Sequence, residues 1–208
     1  MNFDQKPLGF LSNKRIGLAS VVLAAAGLWA MPPMAQAVTV ASVDVPAEQS
    51  LDGTALVLNG AGLRQRFVFQ VYVAALYVPQ KTQDVQAILD SQAPQLLRLT
   101  LLRDITSKAL TDALNDGLKA NNTEAQLAEM SNTIRDFEAF MQTGGEGVSG
   151  DRVDIRFNQG KVSVSFKDKA LGEVSDPRFA SALLKVWLGP EPAQASLKQA
   201  LLGQAPAN

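Results

Sequence analysis

The stretch that decides the fold is LNGAGLRQRFVFQVYVAALYVP, residues 58–79. Between Phe67 and Ala75, apolar residues recur at every second position, which is typical of a β-strand with one apolar face. The Asn-Gly pair near the start of the stretch favours a turn, because both residues tolerate positive φ. We therefore predict a turn at residues 59–62, followed by a strand over residues 64–77 that a bend can interrupt.

An arginine, Arg64, stands where this apolar run begins, on the opposite face of the predicted strand. A charge buried without a partner is costly, so Arg64 must be solvated, paired or bound to a ligand. A guanidinium can grip a carboxylate at two points, and Tyr72 on the same face could add a phenol donor. Both residues also have a purely structural alternative. Arg64 could form an internal salt bridge with Asp104 or Asp112, and Tyr72 could be a half-buried tyrosine that needs no ligand.

The N-terminal segment has the pattern of a secretory signal peptide. Residues 1–15 carry three basic residues and one acid, residues 16–31 are apolar, and an Ala-Gln-Ala site ends at Ala37. We predict cleavage after Ala37, a single domain over residues 38–208 and a periplasmic or secreted location. An uncleaved anchor is the alternative, but the apolar run is short of the roughly 20 residues that a spanning helix favours.

Composition excludes several classes of function. Removing the leader takes away three basic residues and one acid and leaves 16 basic against 19 acidic residues, with no basic stripe, so a nucleic-acid partner is not expected. No second apolar segment is long enough to span a membrane. The chain has no cysteine and no histidine, which excludes Ser-His-Asp and Cys-His nucleophiles and the usual zinc and copper sites. We expect no metal and no cofactor.

The remaining patterns predict an α+β protein, a large antiparallel β-sheet with a layer of α-helices on one face. Residues 38–50 read as an irregular segment before the first strand. The predicted strands cover residues 53–58, 64–77, 95–103, 151–157 and 161–166, and the predicted helices begin after Asp84, Thr106, Thr123 and Asp176 and at about Ala193. A Gly-x-Gly-x-x-Gly at residues 145–150 lies between a helix and a strand, the wrong order for a dinucleotide-binding loop.

Three passages in order resemble the chalcone isomerase-like family. They are LNGAGLRQR with VYVAALYVP, then LLRDITSKALTDALNDGLKANN, then DPRFASALLKVWLGPEPAQASLKQALLG. The resemblance implies a large antiparallel sheet covered on one face by helices. It also implies one of two functions: isomerisation of an enone by plant-type enzymes, whose motif arginine faces developing negative charge, or non-catalytic binding of fatty acids through an arginine and a tyrosine.

The resemblance places the motif arginine at Arg64 and a tyrosine of the binding branch at Tyr72. Other polar positions of the plant enzymes fall on Lys108, on Asp112, and near Ile105 and Val186, so most of the enzyme's polar set is absent. We expect Trp187 to line the same cleft or to lie in the core. We interpret Arg103, Asp104 and Thr106 as a structural ion pair or helix cap.

These observations favour an exported, non-catalytic binder of a fatty acid or similar apolar carboxylate, with Arg64, Tyr72, Lys108, Asp112, Val186 and Trp187 as candidate ligand-binding residues. The alternative is an isomerase in which Arg64 stabilises an oxyanion and is the catalytic residue. A third possibility is a structural envelope protein in which Arg64 is bonded internally. The sequence identifies no protein partner.

Overall fold

The computed structural model describes residues 37–204, so the predicted signal peptide lies outside it except for Ala37. The strands are β1 (Val38–Val40), β2 (Val43–Val45), β3 (Glu48–Leu51), β4 (Thr54–Arg66), β5 (Phe69–Val78), β6 (Gln95–Leu101), β7 (Ile105–Thr106), β8 (Glu146–Gly147), β9 (Arg152–Asn158), β10 (Lys161–Phe166) and β11 (Lys169–Ser175). The helices are α1 (Val85–Leu89), α2 (Ser107–Asn121), α3 (Glu124–Glu129), α4 (Ser131–Gln142), α5 (Pro177–Leu188) and α6 (Ala195–Leu201).

A seven-stranded sheet forms the centre of the fold, in the order β11-β10-β9-β6-β5-β4-β3. Every neighbouring pair of strands in it is antiparallel. One face packs against the helices in a large apolar core that includes Leu76, Leu99, Phe179 and Trp187. The predicted α+β class and helical layer are therefore confirmed.

The opposite face of the sheet carries a second, smaller core. Val73, Ala75 and Tyr77 of β5 point to this side, and residues of the β1–β2 hairpin cover them. The alternation along β5 thus supplies both cores, one from each parity. The prediction of an irregular segment over residues 38–50 was wrong, because three short strands lie there. Such strands are too short to leave a clear alternation in the sequence.

The turn predicted at residues 59–62 was also wrong. These residues lie within β4, which continues to Arg66, and the chain turns at Phe67 and Val68. The predicted strand over residues 64–77 is therefore the end of β4, a two-residue turn and most of β5. Phe67 and Phe69, which alternation placed on an apolar face, are 90% and 55% exposed at this hairpin tip.

Tertiary packing explains the glycines of β4. A Cβ at Gly60 would lie 2.0 Å from the Ala200 carbonyl oxygen, and one at Gly62 would lie 2.6 Å from the Ala200 Cβ. Glycine is needed here because helix α6 rests directly on the strand, and not because the backbone turns. The sequence pattern Asn-Gly-Ala-Gly cannot distinguish these two uses of glycine.

The predicted helix starts are largely confirmed by their caps. Thr106 accepts a hydrogen bond from the Ala109 amide at 3.1 Å, Thr123 and Gln126 form the predicted capping box, and Asp84 and Asp176 cap α1 and α5. Other details were missed. The helix predicted after Thr123 is divided near Met130 into α3 and α4, and strands β7, β8 and β11 have no counterpart in the prediction.

Candidate functional site

A cleft of about 510 Å³ opens between helix α2 and the ends of β4 and β5. The C-terminal end of α5 and the segment that follows it complete the walls. The cleft is lined by Arg64, Arg66, Val71, Tyr72, Ile105, Ala109, Leu110, Asp112, Ala113, Leu114, Asp116, Gly117, Ala120, Val186, Trp187, Glu191, Pro192 and Ala193. Its volume lies within the range of small-molecule sites, and its wall is apolar apart from two arginines, a tyrosine, a tryptophan and three carboxylates.

Arg64 and Tyr72 are brought together by strand register. They lie directly opposite each other in the β4–β5 ladder, so their side chains share one face of the sheet. Along the chain the two residues are separated by the hairpin turn, yet in space they are neighbours. The predicted pairing of the two residues on one face is therefore present, although it arises from a hairpin and not from one continuous strand.

Tyr72 is buried at the base of the cleft and is 7% exposed. Its phenol oxygen accepts a hydrogen bond from Trp187 Nε1 at 3.0 Å. Burial raises the pKa of the Tyr72 phenol, while the Trp187 hydrogen bond and the Arg64 guanidinium act in the opposite direction. The phenol therefore stays protonated at neutral pH and can donate its own proton.

Arg64 is half-buried and has no carboxylate partner among residues 37–204. Its Nη1 donates to the Gln65 carbonyl and, at 3.4 Å, to the Gln194 Oε1. The salt bridges considered from the sequence do not form. Asp112 pairs with Lys108 at 2.7 Å, and Asp104 accepts from the Ser149 amide at 3.4 Å. Within residues 37–204, the Arg64 guanidinium thus has only neutral acceptors, and it is available to pair with an incoming anion.

Gln194, which the sequence did not single out, fixes the backbone around Arg64. Its Oε1 accepts from the Gln65 amide at 2.8 Å, and its Nε2 donates to the Leu63 carbonyl at 3.3 Å. Gln194 precedes helix α6, which can approach β4 only because Gly60 and Gly62 leave room. No local sequence pattern identifies Gln194. The one indication is the pair Gly60 and Gly62, because glycines within a strand indicate that another segment packs closely on it.

The three residues expected to be structural have structural contacts. Thr106 caps helix α2, Asp104 accepts a bond from the 146–150 loop, and the Arg103 guanidinium lies 4.8 Å from the centre of the Phe69 ring. Arg103 and Asp104 do not pair with each other. Each instead attaches the end of β6 to a different neighbour.

Comparison with protein families agrees with the residue-level resemblance. The family model described as chalcone isomerase-like matches residues 37–203, which is most of the chain. The chain belongs to the chalcone isomerase-like family. No curated protein matches its sequence.

A solved structure has a similar fold. It is the fatty-acid binding protein AtFAP1 of Arabidopsis thaliana, which superposes with a TM-score of 0.63 at 14% identity, over 80% of this chain and 96% of that one. At this identity the likeness establishes the architecture alone. Within residues 37–204, none of the helices is both long and apolar enough to cross a membrane, and no three potential metal ligands cluster.

The remaining positions that the family resemblance singled out divide into two groups. Val186 and Trp187 line the cleft and are almost fully buried, and Asp112 lies at its rim. Lys108 does not line it: its side chain is 78% exposed and bonded to Asp112. Ile105 lines the cleft as an apolar wall, so the position near the plant tyrosine offers no hydrogen bond.

A second, smaller cavity lies next to the cleft, against strands β7 and β8. It has a volume of about 20 Å³ and shares Ile105 and Leu110 with the cleft as walls. The rest of its lining is mainly apolar, including Leu101, Met141 and Phe166. The two spaces are thus neighbours that share two wall residues.

Proposed function

We propose that this protein binds a fatty acid or a similar single-chain carboxylate without chemical conversion. The observation that carries the proposal is the Arg64 guanidinium, which lies at an apolar cleft and has no carboxylate partner among the described residues. An anionic head group supplies the missing partner. The neighbour AtFAP1, a fatty-acid binding protein, is consistent with this proposal.

Two donors converge on the head group. Arg64 can donate two parallel N–H bonds to a carboxylate, and charge-assisted bonds of this kind are stronger than neutral ones. Tyr72 adds an O–H donor, because its oxygen already accepts from Trp187 and its raised pKa keeps the proton in place. The cross-strand pairing of Arg64 and Tyr72 holds both donors on rigid strands, so little entropy is lost when the ligand binds.

The apolar wall of the cleft accommodates the hydrocarbon tail of the ligand. Side chains such as Val71, Leu114 and Val186 present apolar surface below the two donors. The neighbouring cavity of about 20 Å³ is too small to hold part of a tail, so the tail is bound within the cleft itself.

The acids of the rim favour a ligand with one negative charge. Asp112, Asp116 and Glu191 line the cleft together with Arg64 and Arg66. A dianionic head group such as a phosphate monoester meets more repulsion there than a carboxylate does, because like charges destabilise each other across a partly desolvated space. This charge balance supports a monocarboxylate.

The isomerase alternative receives less support. It requires a proton shuttle near Arg64, and the Lys108 side chain is exposed and bonded to Asp112. Tyr72 remains, but its raised pKa makes it a poor base at neutral pH. The plant-enzyme positions near Ile105 and Val186 are apolar. Binding is therefore the function that the site supports best.

Export is part of the proposal and rests on the sequence alone. The basic start, short apolar run and Ala-Gln-Ala site of residues 1–37 support cleavage after Ala37. The carrier would then act in the periplasm or outside the cell, and a chain whose N-terminus is still Met1 after export would contradict this part.

Native mass spectrometry of the exported protein tests the proposal. We expect wild type to carry a co-purifying mass of a few hundred daltons that Arg64→Ala lacks. Arg135→Ala removes an exposed positive charge outside the cleft and serves as the matched control, which should keep the ligand. A ligand-free mass in wild type, with no uptake of added fatty acid, would contradict the proposal.

A further inference from the structure

The tip of the β4–β5 hairpin, residues 66–69, exposes apolar side chains that no packing requirement explains. Phe67 is 90% exposed, Val68 85% and Phe69 55%. Val148 lies in the 146–150 loop at the same end of the sheet, since Gly150 donates to the Leu101 carbonyl at the end of β6. Among residues 37–204, these four and Val38 are the large hydrophobic side chains that are exposed. Single exposed hydrophobic residues are common on protein surfaces. Four of them at one end of the sheet indicate an interaction surface.

The turn itself uses residues that a stable hairpin avoids. Phe67 has a φ of 54°, in the left-handed region where glycine and asparagine are favoured and an aromatic side chain is uncommon. The two-residue turn of this hairpin is Phe-Val, although glycine at the first position would suit it better, because φ is positive at Phe67 and not at Val68. A local rule broken without a gain in packing is typical of a functional position.

The tip and the two strands that form it carry arginines and no acid, although the whole chain has a net negative charge. The three acids of the cleft belong to helix α2 and to the segment after α5. Strands β4 and β5 together contain Arg64 and Arg66 and no acidic residue. Arg103 lies over the Phe69 ring at 4.8 Å. Arg64, Arg66 and Arg103 have no carboxylate partner among the residues that the structure describes, and the acid next to them, Asp104, bonds to the Ser149 amide.

We propose that the tip, residues 66–69 with Arg103, docks on an anionic lipid bilayer. Phe67 and Val68 enter the interface between head groups and acyl chains, while Arg66 and Arg103 pair with lipid phosphates. An anionic bilayer offers acyl chains to the exposed apolar side chains and phosphates to the arginines that border them. An acidic protein surface would match only the arginines. An apolar protein surface would match only the apolar side chains.

The position of the tip gives the docking a purpose, and this step rests on the proposed function. Arg64 and Arg66 line the mouth of the cleft and lie within three residues of Phe67. A carrier docked through the tip therefore opens its cleft beside the lipid head groups. A fatty acid can then pass between bilayer and cleft without crossing bulk water.

Vesicle co-sedimentation tests the inference. The exported protein, purified without detergent and with its N-terminus verified by mass, is mixed with vesicles of phosphatidylcholine alone or of phosphatidylcholine with phosphatidylglycerol. We expect binding to the anionic vesicles to exceed binding to the neutral ones at least about tenfold and to weaken with salt. Arg103→Gln should lower binding to the anionic vesicles.

The decisive variant is Phe67→Gly with Val68→Ser. It gives the turn the residues that a two-residue hairpin favours, so its thermal stability should equal or exceed that of wild type. Its vesicle binding should fall at least about tenfold, because the apolar wedge is gone. Val38→Ser, at the other exposed large hydrophobic residue, should bind vesicles as wild type does.

Failure of this inference and failure of the proposed function give different results. Wild type that ignores anionic vesicles, or a turn variant that binds them like wild type, overturns the docking surface. The docking surface is also overturned if vesicle binding is absent and the tip instead mediates a dimer or a complex with another protein that the turn variant abolishes. The turn variant should still bind a fatty acid added from solution. If wild type binds vesicles but takes up no fatty acid, the proposed function fails and the docking surface stands.

Discussion

The indole nitrogen of Trp187 lies 3.0 Å from the phenol oxygen of Tyr72, and this hydrogen bond joins helix α5 to strand β5 under the cleft. Because the oxygen is used as an acceptor, the Tyr72 proton remains for a ligand. Across the ladder stands Arg64, which adds the positive charge. The site is thus a three-residue arrangement built from two strands and one helix.

Replacing Tyr72 with phenylalanine should weaken binding of a fatty acid about tenfold, because a hydrogen bond to a charged group is lost while the ring still packs. The fold should also lose about 1–3 kcal/mol of stability, because the buried Trp187 N–H loses its acceptor. Binding can be followed by the fluorescence of Trp187, which is the single tryptophan once the leader with Trp29 is removed. Unchanged affinity in this variant would mean that Tyr72 is a packing residue only.

Alkaline titration should report the burial of both tyrosines. The chain has two, Tyr72 and Tyr77. Burial raises the pKa of Tyr77 to about 12 and also raises the pKa of Tyr72. Since both folded-state values exceed the unfolded one, their contribution to stability is complete below the ordinary tyrosine pKa, near 10, and is lost as the pH rises through the folded values.

Tyrosinate absorbance measures this directly. We expect no ionisation step at the ordinary tyrosine pKa in the native protein, and a prompt step after denaturation. Tyr72→Phe isolates Tyr77 and should leave a transition near the value of about 12. A native step at the ordinary pKa would show that one phenol is open to water.

Alanine at Gly60 should destabilise the fold more than alanine at Gly62. The new Cβ at Gly60 meets the Ala200 carbonyl oxygen at 2.0 Å, a backbone atom that moves only with helix α6, whereas at Gly62 the nearest atom is the Ala200 Cβ. Overpacking of this kind costs about 1–3 kcal/mol. Urea denaturation gives the free energies of unfolding.

A double-mutant cycle separates the two glycines. Ala200→Gly removes the atom that Gly62→Ala meets, so this pair should show a favourable coupling, and the pair with Gly60→Ala should show little. Coupling of equal size for both glycines would contradict the assignment of backbone contact at Gly60.

Breaking the Arg98–Asp154 ion pair, on the sheet face opposite the helices, should reduce the stability of the fold without reducing ligand affinity. Arg98 donates two bonds to Asp154, at 2.7 and 2.8 Å, and the Asp154 side chain is 6% exposed. Asp154→Ala leaves a largely buried guanidinium unpaired, and we expect a loss of about 3 kcal/mol. Asp168→Ala breaks the exposed pair with Arg152 and should cost less than about 1 kcal/mol. Equal losses in the two variants would argue against burial as the cause.

Much of the fold could be predicted from the sequence because its signals are local. Caps at Thr106, Thr123 and Asp176 and the alternation in β9 and β10 depend on neighbours within a few residues. The turn at Phe67 and Val68 could not be predicted, since it breaks the residue preferences on which turn prediction depends. The better turn signal, at Gly60 and Gly62, reflects instead a helix almost 140 residues away.

The site was predictable in part for the same reason. Arg64 and Tyr72 were identified because a lone arginine in an apolar run needs an explanation. Gln194 was missed because its contacts with Leu63 and Gln65 depend on how α6 packs, and Lys108 was placed toward the ligand although the helix turns it to solvent. Which face of a helix meets a cleft is decided by tertiary packing.

The central claim is that Arg64 recognises a carboxylate, and calorimetric titration with a fatty acid and its methyl ester tests it most directly. The ester keeps the tail and loses the charge. Wild type should bind the acid at least about tenfold more tightly than the ester, and Arg64→Ala should bind both with equal, weak affinity. Arg135→Ala should behave like wild type. Equal affinity of wild type for acid and ester, or a preference for the acid that survives in Arg64→Ala, would contradict the account.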